Sequence, residues 1–251
     1  MSILTVQHLE KHFENTKVLN DISFSLEEGQ ALSIIGSSGS GKTTFIKLLC
    51  RLYDPTEGVI LLNGIDIRKY RYDEYMDIFS VVFQDFKLFA LPLGQNVATA
   101  QHYDVARAAD CLQKAGFSDR LARMPKGLDT CLYKDLDEDG VTISGGEAQK
   151  IAIARALYKD APFIVLDEPT AALDPVAEAE IYAKFNEIAG DKTAIYISHR
   201  LSSCKFCDEI AVFDHGEVVQ QGTHEELLGE PDGKYYELWN AQAQYYTEES
   251  A

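Results

Sequence analysis

The chain has 251 residues, a length that predicts one large domain or two small ones. Apolar residues make up 46% and charged residues 25%, which excludes a disordered or fibrous protein and allows a sizeable core. The 40 acidic and 23 basic side chains give a formal net charge of −17. Because this charge repels phosphate backbones and anionic lipids, it argues against nonspecific nucleic-acid binding, and any phosphate ligand needs a local binding device.

The sequence contains no segment that predicts a membrane span or a signal peptide. Its longest apolar runs, such as Phe163–Leu166 and Ile210–Phe213, are far shorter than the roughly 18 residues that a membrane-spanning helix needs. Five irregularly spaced cysteines indicate reduced thiols and a cytosol-like compartment. Cys204 and Cys207 form a lone Cys-x-x-Cys pair, for which packing or surface thiols are favoured over zinc binding or redox chemistry.

Short apolar, β-branched runs alternate with helical patterns, which indicates an α/β fold. Ile3–Leu9 and Ile22–Leu26 alternate apolar and polar residues, as expected of antiparallel strands that flank a main sheet. Ala31–Ile35 predicts a buried strand, and the apolar spacing from Thr43 to Leu52 predicts a helix. Later strands are expected at Phe79–Phe83, Phe163–Leu166, Thr193–Ile197 and Ile210–Phe213.

The segment from Leu93 to Leu157 has no strand-like run, so we expect it to be an inserted helical subdomain. After it, Glu217–Gln221 predicts a final hairpin strand. The tail from Lys234 to Tyr246 is amphipathic at helical spacing, and its aromatic residues are expected to anchor it to the core rather than to bind a ligand.

A glycine-rich run after the predicted strand at 31–35 matches the pattern G-x-x-x-x-G-K-[ST] of a phosphate-binding loop. Its glycines let the backbone N–H groups point at phosphate oxygens, and the positive end of the following helix adds to that attraction. Lys42 would hold the outer phosphates, and the Thr43 hydroxyl could be a ligand of Mg²⁺. A chance glycine-rich turn is the plain alternative. The predicted loop residues are Gly36, Ser37, Ser38, Gly39, Ser40, Gly41, Lys42, Thr43 and Thr44.

Two adjacent carboxylates, Asp167 and Glu168, follow the apolar run Phe163–Leu166. The carboxyl end of a parallel strand is the edge at which such sheets bind their ligands. Adjacent strand residues point to opposite sides, so we expect the two acids to have different roles. Asp167 is assigned to the metal and Glu168 to polarising the attacking water, whereas a solvated strand end is the alternative for either residue.

A third motif, Ile143-Ser144-Gly145-Gly146-Glu147, precedes the apolar helical run Ala148–Leu157. Alone, it predicts only a helix start that favours anions. Together with the two motifs above, it resembles the ATP-binding domain of ABC transporters, whose signature reads Leu-Ser-Gly-Gly-Gln. The chain departs from that signature at Ile143 and Glu147, and the added charge of Glu147 near the nucleotide is expected to weaken the contact mildly.

The resemblance covers nearly the whole chain and implies roles for four further residues. Gln84 resembles the glutamine that senses Mg²⁺ and links to the membrane domain, and Asp174 lies in a run that resembles the D-loop. His199 resembles the switch histidine that contacts the γ-phosphate of ATP. Phe13 occupies the position of the aromatic residue that stacks on adenine, and burial in the core is the alternative for its ring.

The family implies a P-loop NTPase core sheet, an antiparallel β subdomain and an inserted α-helical subdomain within one ABC ATPase domain. The RecA-like core and the antiparallel strands would occupy about residues 1–92 and 158–251, and the helical subdomain about residues 93–157. Two such domains would pair head to tail around two MgATP, each ATP lying between the P-loop of one domain and Ser144-Gly145-Gly146 of the other. Hydrolysis would move a transmembrane domain at the cytoplasmic face of a membrane, and no nucleic-acid partner is expected.

The segments Asp139–Thr142 and Gly222–Leu228 resemble exporter-type domains. A soluble ABC ATPase of DNA repair, ribosomes or iron–sulfur assembly is the alternative, but such proteins usually carry coiled-coil insertions, tandem copies or cysteine clusters, which this sequence lacks. A P-loop kinase or GTPase is disfavoured by the signature and by the absence of an Asn-Lys-x-Asp motif. The sequence leaves open the transported substrate, the identity of the paired domain, and whether the chain is a fragment or a separate subunit.

Overall fold

A computed structural model describes residues 2–170, 189–198 and 201–248. The chain forms two compact units: the first runs up to Phe79 and resumes at Asp191, and the second runs from Ser80 to Gly190. The strands, in chain order, are β1 (Ser2–Phe13), β2 (Thr16–Glu27), β3 (Ala31–Gly36), β4 (Glu57–Leu62), β5 (Ile65–Asp66), β6 (Phe79–Val82), β7 (Phe163–Asp167), β8 (Thr193–Ile197), β9 (Glu209–Asp214) and β10 (Glu217–Gly222).

The described helices are numbered in the same way. They are α1 (Lys42–Leu49), α2 (Tyr72–Asp77), α3 (Leu93–Ala98), α4 (Val105–Lys114), α5 (Ser118–Ala122), α6 (Gly145–Lys159), α7 (His224–Leu228) and α8 (Lys234–Glu248). Short 3₁₀ helices cover Ile67–Lys69, Gly127–Asp129 and Leu201–Phe206. None of the helices in these described ranges has the length and the hydropathy needed to cross a membrane.

The first unit contains an antiparallel sheet in the order β2-β1-β4-β5. Its two longest strands extend well beyond the predicted runs, and a bulge interrupts the alternation of buried residues in β1. Leu4, Val6 and Leu9 are all buried, and the register shifts between Val6 and Leu9, where His8 has a φ of 48°. The sequence pattern did not predict β4 and β5, because they are defined by pairing, of β4 with β1 and of β5 with β4, rather than by local alternation.

A second set of strands in the first unit has the order β10-β9-β3-β8. β3 pairs in parallel with both β8 and β9, and the residues of β8 are all buried. Apolar side chains on both faces are typical of parallel strands covered on both sides, which explains why these runs were recognisable in the sequence. β9 turns back into β10 as the predicted antiparallel hairpin.

The carboxyl-terminal helix α8 packs on the first unit through its apolar residues. Tyr235 is fully buried in a cluster with Leu201 and Cys204, and Trp239 packs against the same cluster. Tyr235 and Trp239 therefore anchor the tail to the core, as predicted for its aromatic residues, whereas the side chains of Tyr245 and Tyr246 lie outside the described part of the chain. The five cysteines all lie in the described ranges and form no disulfide, and burial raises the pKa of the Cys207 thiol, as expected for a packing residue.

In the second unit, β7 lies beside β6, and α6 packs against α3 and α4. The stretch from Leu93 to Leu157 is described throughout and contains helices and isolated β-bridges only. The unit itself extends from Ser80 to Gly190. Parallel strands, antiparallel strands and packed helices together confirm the predicted fold class, whereas the subdomain boundaries near residues 93 and 157 stay a prediction.

Candidate nucleotide-binding site

The loop between β3 and α1 has a backbone that requires glycine at three positions. Gly36, Gly39 and Gly41 have φ angles of 149°, 81° and 100°, in the region that L-amino acids rarely adopt. A Cβ atom on Gly36 would overlap the carbonyl oxygen of Phe213, and one on Gly41 would lie 2.5 Å from Cδ2 of Leu19. The conformation of the loop therefore depends on glycine at positions 36, 39 and 41. A chance glycine-rich turn would not need glycine at all three of these positions.

The loop leads directly into the amino end of α1. Gly41 is the N-cap residue and provides no side-chain cap, so the first N–H groups of the helix are left for an external acceptor. These N–H groups and the helix dipole favour an anion at this end. Ser37, Ser38 and Thr43 are exposed around it, and Thr44 is half-buried.

Lys42 supplies the positive charge of the loop. Its side chain is only 7% exposed, and Nζ donates hydrogen bonds to the Gly36 carbonyl at 2.7 Å, the Ser37 carbonyl at 2.8 Å and Oγ of Ser40 at 3.3 Å. The ammonium group is thus folded back over the loop and held among its atoms. A buried cation in a loop that leads into a helix end without a side-chain cap fits a phosphate group, which the overall negative charge of the chain would otherwise repel.

Phe13, the residue predicted to stack on adenine, is at the end of β1 and is 37% exposed, so the alternative of a buried ring does not hold. Its ring meets that of Tyr53 edge to face, with 5.2 Å between centroids. Nζ of Lys11 lies 5.0 Å from the Phe13 centroid and donates a hydrogen bond to the Asp54 carbonyl. Tyr53 and Lys11 come from separate segments of the chain, and no sequence motif predicted either residue here. The contacts with Tyr53 and Lys11 hold the Phe13 ring in place, and part of the ring stays accessible to solvent.

The two adjacent carboxylates occupy different environments in the second unit. Asp167 is the last residue of β7 and is 2% exposed, whereas Glu168 is half-buried and has a φ of 51°. Strand alternation predicted that the two acids point to opposite sides, but Glu168 lies beyond the end of the strand. A left-handed turn, unusual for glutamate, determines its direction instead.

Two glutamine side chains hold Glu168 in this turn. Nε2 of Gln84, from the segment after β6, donates a hydrogen bond to Oε2 of Glu168 at 3.0 Å. Nε2 of Gln149, in α6, donates to the Glu168 backbone carbonyl at 2.9 Å. Gln149 is 4% exposed and was missed by the sequence analysis. A signal was present, because Gln149 is one helical turn before the apolar positions Ala152 and Ile153 on the buried side of the helix.

The signature motif forms the amino end of α6, with Ser144 as its N-cap. Ser144 and Glu147 make a capping box: the Ser144 N–H donates to Oε2 of Glu147 at 2.8 Å, and the Glu147 N–H donates to Oγ of Ser144 at 3.3 Å. Oε1 of Glu147 lies 2.8 Å from Nε of Arg120, a residue that the sequence analysis did not consider. The departure from the family signature at Glu147 therefore has a structural partner, and its carboxylate is already engaged.

Two of the predicted site residues, Asp174 and His199, lie outside the described residues. The structure does describe Ser198, which precedes His199. Ser198 is buried, and its N–H donates to the Ile34 carbonyl at 3.2 Å, so the end of β8 is held against β3, the strand that leads into the glycine-rich loop.

The sequence model of the family described as "ABC transporter" matches residues 19–171, which is well over half of the chain. The chain belongs to the ABC transporter family. One relative, the "Iron-sulfur clusters transporter ABCB7, mitochondrial" of Oryzias latipes, is 41% identical over 239 residues, covering 92% of this chain and 31% of the relative. An "ATP-dependent lipid A-core flippase" of Burkholderia orbicola (strain AU 1054) is 41% identical over 210 residues, covering 84% of this chain and 35% of the relative.

A solved structure of a bacterial Atm1-family ABC exporter with ATP bound is similar in fold as well as in sequence. It superimposes with a TM-score of 0.88 at 36% identity, covering 96% of this chain and 42% of that one. The chain thus spans about a third of the length of the curated relatives it matches. Membership of the ABC family confirms the predicted nucleotide-binding fold and its likeness to exporter ATPase domains.

Proposed function

We propose that this ABC domain hydrolyses ATP and is the motor of an exporter. The observation that carries the proposal is the loop of residues 36–43, in which the buried Lys42 ammonium is held against the loop carbonyls and the loop leads into a helix end without a side-chain cap. Lys42 and the N–H groups of the loop would bind the triphosphate, and the exposed face of Phe13 would stack on the adenine. Relatives named as transporters and flippases support the assignment to transport.

Each of the three residues predicted to hold Mg²⁺ carries an oxygen atom, the donor that this ion prefers. The exposed Thr43 hydroxyl, the buried Asp167 carboxylate and the Gln84 amide oxygen are the residues proposed to hold it, either directly or through water. When bound, Mg²⁺ would stabilise negative charge on the phosphate oxygens. Burial of Asp167 suits this role, because an enclosed carboxylate binds a cation more strongly than a solvated one does.

Glu168 is proposed as the base that receives the proton of the attacking water. The water oxygen would form a bond to the γ-phosphorus as the bond to the β–γ bridging oxygen breaks, and the proton would pass to the Glu168 carboxylate. The hydrogen bond from Gln84 fixes Oε2 of Glu168, and the one from Gln149 fixes its backbone. His199 keeps its predicted role at the γ-phosphate.

The proposed assembly has two copies of this domain, or this domain and a related one, paired head to tail. Ser144, Gly145 and Gly146 of one copy would contact the ATP held by the P-loop of the other, and Asp174 would lie at the paired surface. The motor would act on a transmembrane domain at the cytoplasmic face of a membrane. We also propose that the chain is a single ABC domain, with residues 93–157 as its helical subdomain.

The test begins with ATP hydrolysis and ATP-dependent dimerisation of the purified chain. Lys42→Ala is expected to lose ATP binding, and Glu168→Gln is expected to bind ATP, stop hydrolysing it and accumulate as a dimer in analytical ultracentrifugation. Glu138→Gln, at an exposed acid of the second unit, is the control and should behave like the parent chain. Unchanged hydrolysis in Glu168→Gln would contradict the assignment of the base.

The transport role is tested separately by fractionating source cells with an antibody against this domain. We expect the antigen in the membrane fraction, either as part of a larger chain or as a subunit that alkali removes. An antigen found only with soluble ribosomes or DNA would favour the soluble ABC ATPase and overturn the exporter.

A further inference from the structure

The signature motif of this chain has an acidic residue where the family has glutamine, and a basic side chain from another helix pairs with it. Nε of Arg120, in α5, lies 2.8 Å from Oε1 of Glu147. Nη2 of the same guanidinium donates to the Thr142 carbonyl at 3.2 Å. Arg120 therefore contacts the chain on both sides of Ser144, the N-cap residue of α6: at Thr142 before it and at Glu147 after it.

The other oxygen of Glu147 controls the hydroxyl of Ser144. Oε2 accepts the Ser144 N–H at 2.8 Å and lies 3.0 Å from Oγ of Ser144. Because an ionised carboxylate only accepts hydrogen bonds, the Ser144 hydroxyl is the donor in this second contact. The orientation of the Ser144 hydroxyl is thus tied to the position of the Glu147 carboxylate, and Arg120 forms an ion pair with that carboxylate from its other side.

Charge gives this pairing a consequence for anion binding. The amino end of α6 attracts anions through its N–H groups and dipole, and an unpaired glutamate in the first turn would oppose a second anion there. The side chains of Arg120 and Glu147 are 31% and 27% exposed, so solvent screens their interaction less than that of a fully exposed pair. Arg120 neutralises the charge that glutamine would not have carried.

We propose that Arg120 is a positioning residue for the contact between the signature motif and the triphosphate held by a second copy. It keeps Glu147 in the capping box and balances its charge, so that Ser144, Gly145 and Gly146 can receive a phosphate group. The inference rests on the proposed function, in which that contact closes the dimer. It predicts that the effect of losing Arg120 depends on whether residue 147 is acidic.

A double-mutant cycle in the Glu168→Gln background tests this dependence. The readout is the Kd of the ATP-dependent dimer, measured by analytical ultracentrifugation with saturating ATP and Mg²⁺. Arg120→Met is expected to weaken the dimer about tenfold, because Glu147 then faces the incoming phosphate uncompensated. Arg120→Met combined with Glu147→Gln is expected to stay within about twofold of Glu147→Gln alone, since no carboxylate remains to be neutralised.

Three further measurements separate positioning from simple destabilisation. Arg123→Met removes the same charge three residues away, from a side chain whose Nε donates to the Asp119 carbonyl, and should leave the dimer Kd unchanged. Arg120→Lys should recover part of the lost affinity. ATP binding by the isolated monomer should be the same in all variants, because the P-loop is unaltered. If Arg120→Met does not fold, the double-mutant cycle is measured with Arg120→Lys instead, once with Glu147 and once with Glu147→Gln.

The outcomes distinguish the inference from the function on which it rests. If Glu168→Gln alone never dimerises with ATP, the proposed function fails and the inference fails with it. If that variant dimerises and Arg120→Met weakens it equally with Glu147 or Gln at position 147, the proposed function stands and the positioning role of Arg120 is overturned. If Arg123→Met weakens the dimer as much as Arg120→Met does, the effect comes from net charge, and the positioning role of Arg120 is likewise overturned.

Discussion

Gln149→Met removes the side-chain donor that binds the backbone carbonyl of Glu168, the proposed catalytic base. The substitution leaves the size of the side chain nearly unchanged. In the native chain, Nε2 of Gln149 donates to the Glu168 carbonyl at 2.9 Å, and Glu168 has a φ of 51°. A left-handed backbone in a residue other than glycine is unfavourable by about 1–2 kcal/mol, so it persists only where contacts hold it. Without this donor, we expect Glu168 to move toward an ordinary backbone conformation and to lose its direction.

The expected effects on stability and turnover differ in size. Loss of a buried hydrogen bond to a carbonyl lowers the free energy of unfolding by about 1–3 kcal/mol, and methionine recovers the packing. For a chain of this length, each kcal/mol corresponds to roughly 2–4 °C in Tm. Displacement of a catalytic group by about 1 Å can reduce a rate by about 100-fold, so kcat should fall by about one to two orders of magnitude.

The assay is steady-state ATP hydrolysis together with a thermal melt of each variant. Gln113→Met, the same chemical change at an exposed position of α4, is the matched control and should alter neither value. We expect the KM for ATP to stay within about twofold of the parent value, because Gln149 does not belong to the P-loop. A variant that loses stability as expected but keeps its kcat would refute the claim that Gln149 positions Glu168.

Two further predictions concern the first unit. Phe13→Ala should raise the Kd for ATP several-fold and leave the Kd for inorganic triphosphate unchanged, while Phe13→Tyr should match the parent; equal losses for both ligands would contradict stacking on the base. Burial, followed by the nearby Lys205, lowers the pKa of His224, whose Nδ1 lies 2.6 Å from the Tyr235 hydroxyl. The unfolded chain therefore binds the proton more readily, so stability is present above the unfolded pKa of about 6.5 and falls as the pH drops below it. Melts from pH 8 to pH 5 should show a smaller loss of Tm in His224→Gln than in the parent, and identical pH profiles would exclude this histidine as the cause.

Much of the fold could be predicted because its pattern is local. β3, β7, β8 and β9 are buried on both faces and appear in the sequence as short apolar runs. The helix predicted from Thr43 to Leu52 ends earlier, at Leu49, because Cys50 caps it and Arg51 has a φ of 53°. Neither feature has a glycine or proline to mark it in the sequence, so spacing alone extended the helix too far.

The elements that were missed depend on distant partners. β4 is defined by its pairing with β1, about fifty residues earlier, and its short apolar run would suit a helix equally well. Tyr53 and Lys11 become part of the Phe13 cluster only when the first unit folds. Gln149 and Arg120 are identified by a carbonyl and a carboxylate that lie elsewhere along the chain. Motif spacing predicts which residues would contact a ligand, but not which residues hold those side chains and backbones in place.

Arg120 contacts α6 and Gln149 belongs to it, both within its first turn and a half, yet loss of the two side chains is expected to have different effects. Arg120 pairs with Glu147 at the end proposed to meet the nucleotide of a second copy, so its loss should raise the Kd of the ATP-dependent dimer. Gln149 holds the backbone of Glu168, so its loss should lower kcat and leave that Kd unchanged. If both variants changed both quantities in the same proportion, α6 would be responding as one rigid body. The separate assignments of the two residues would then be wrong.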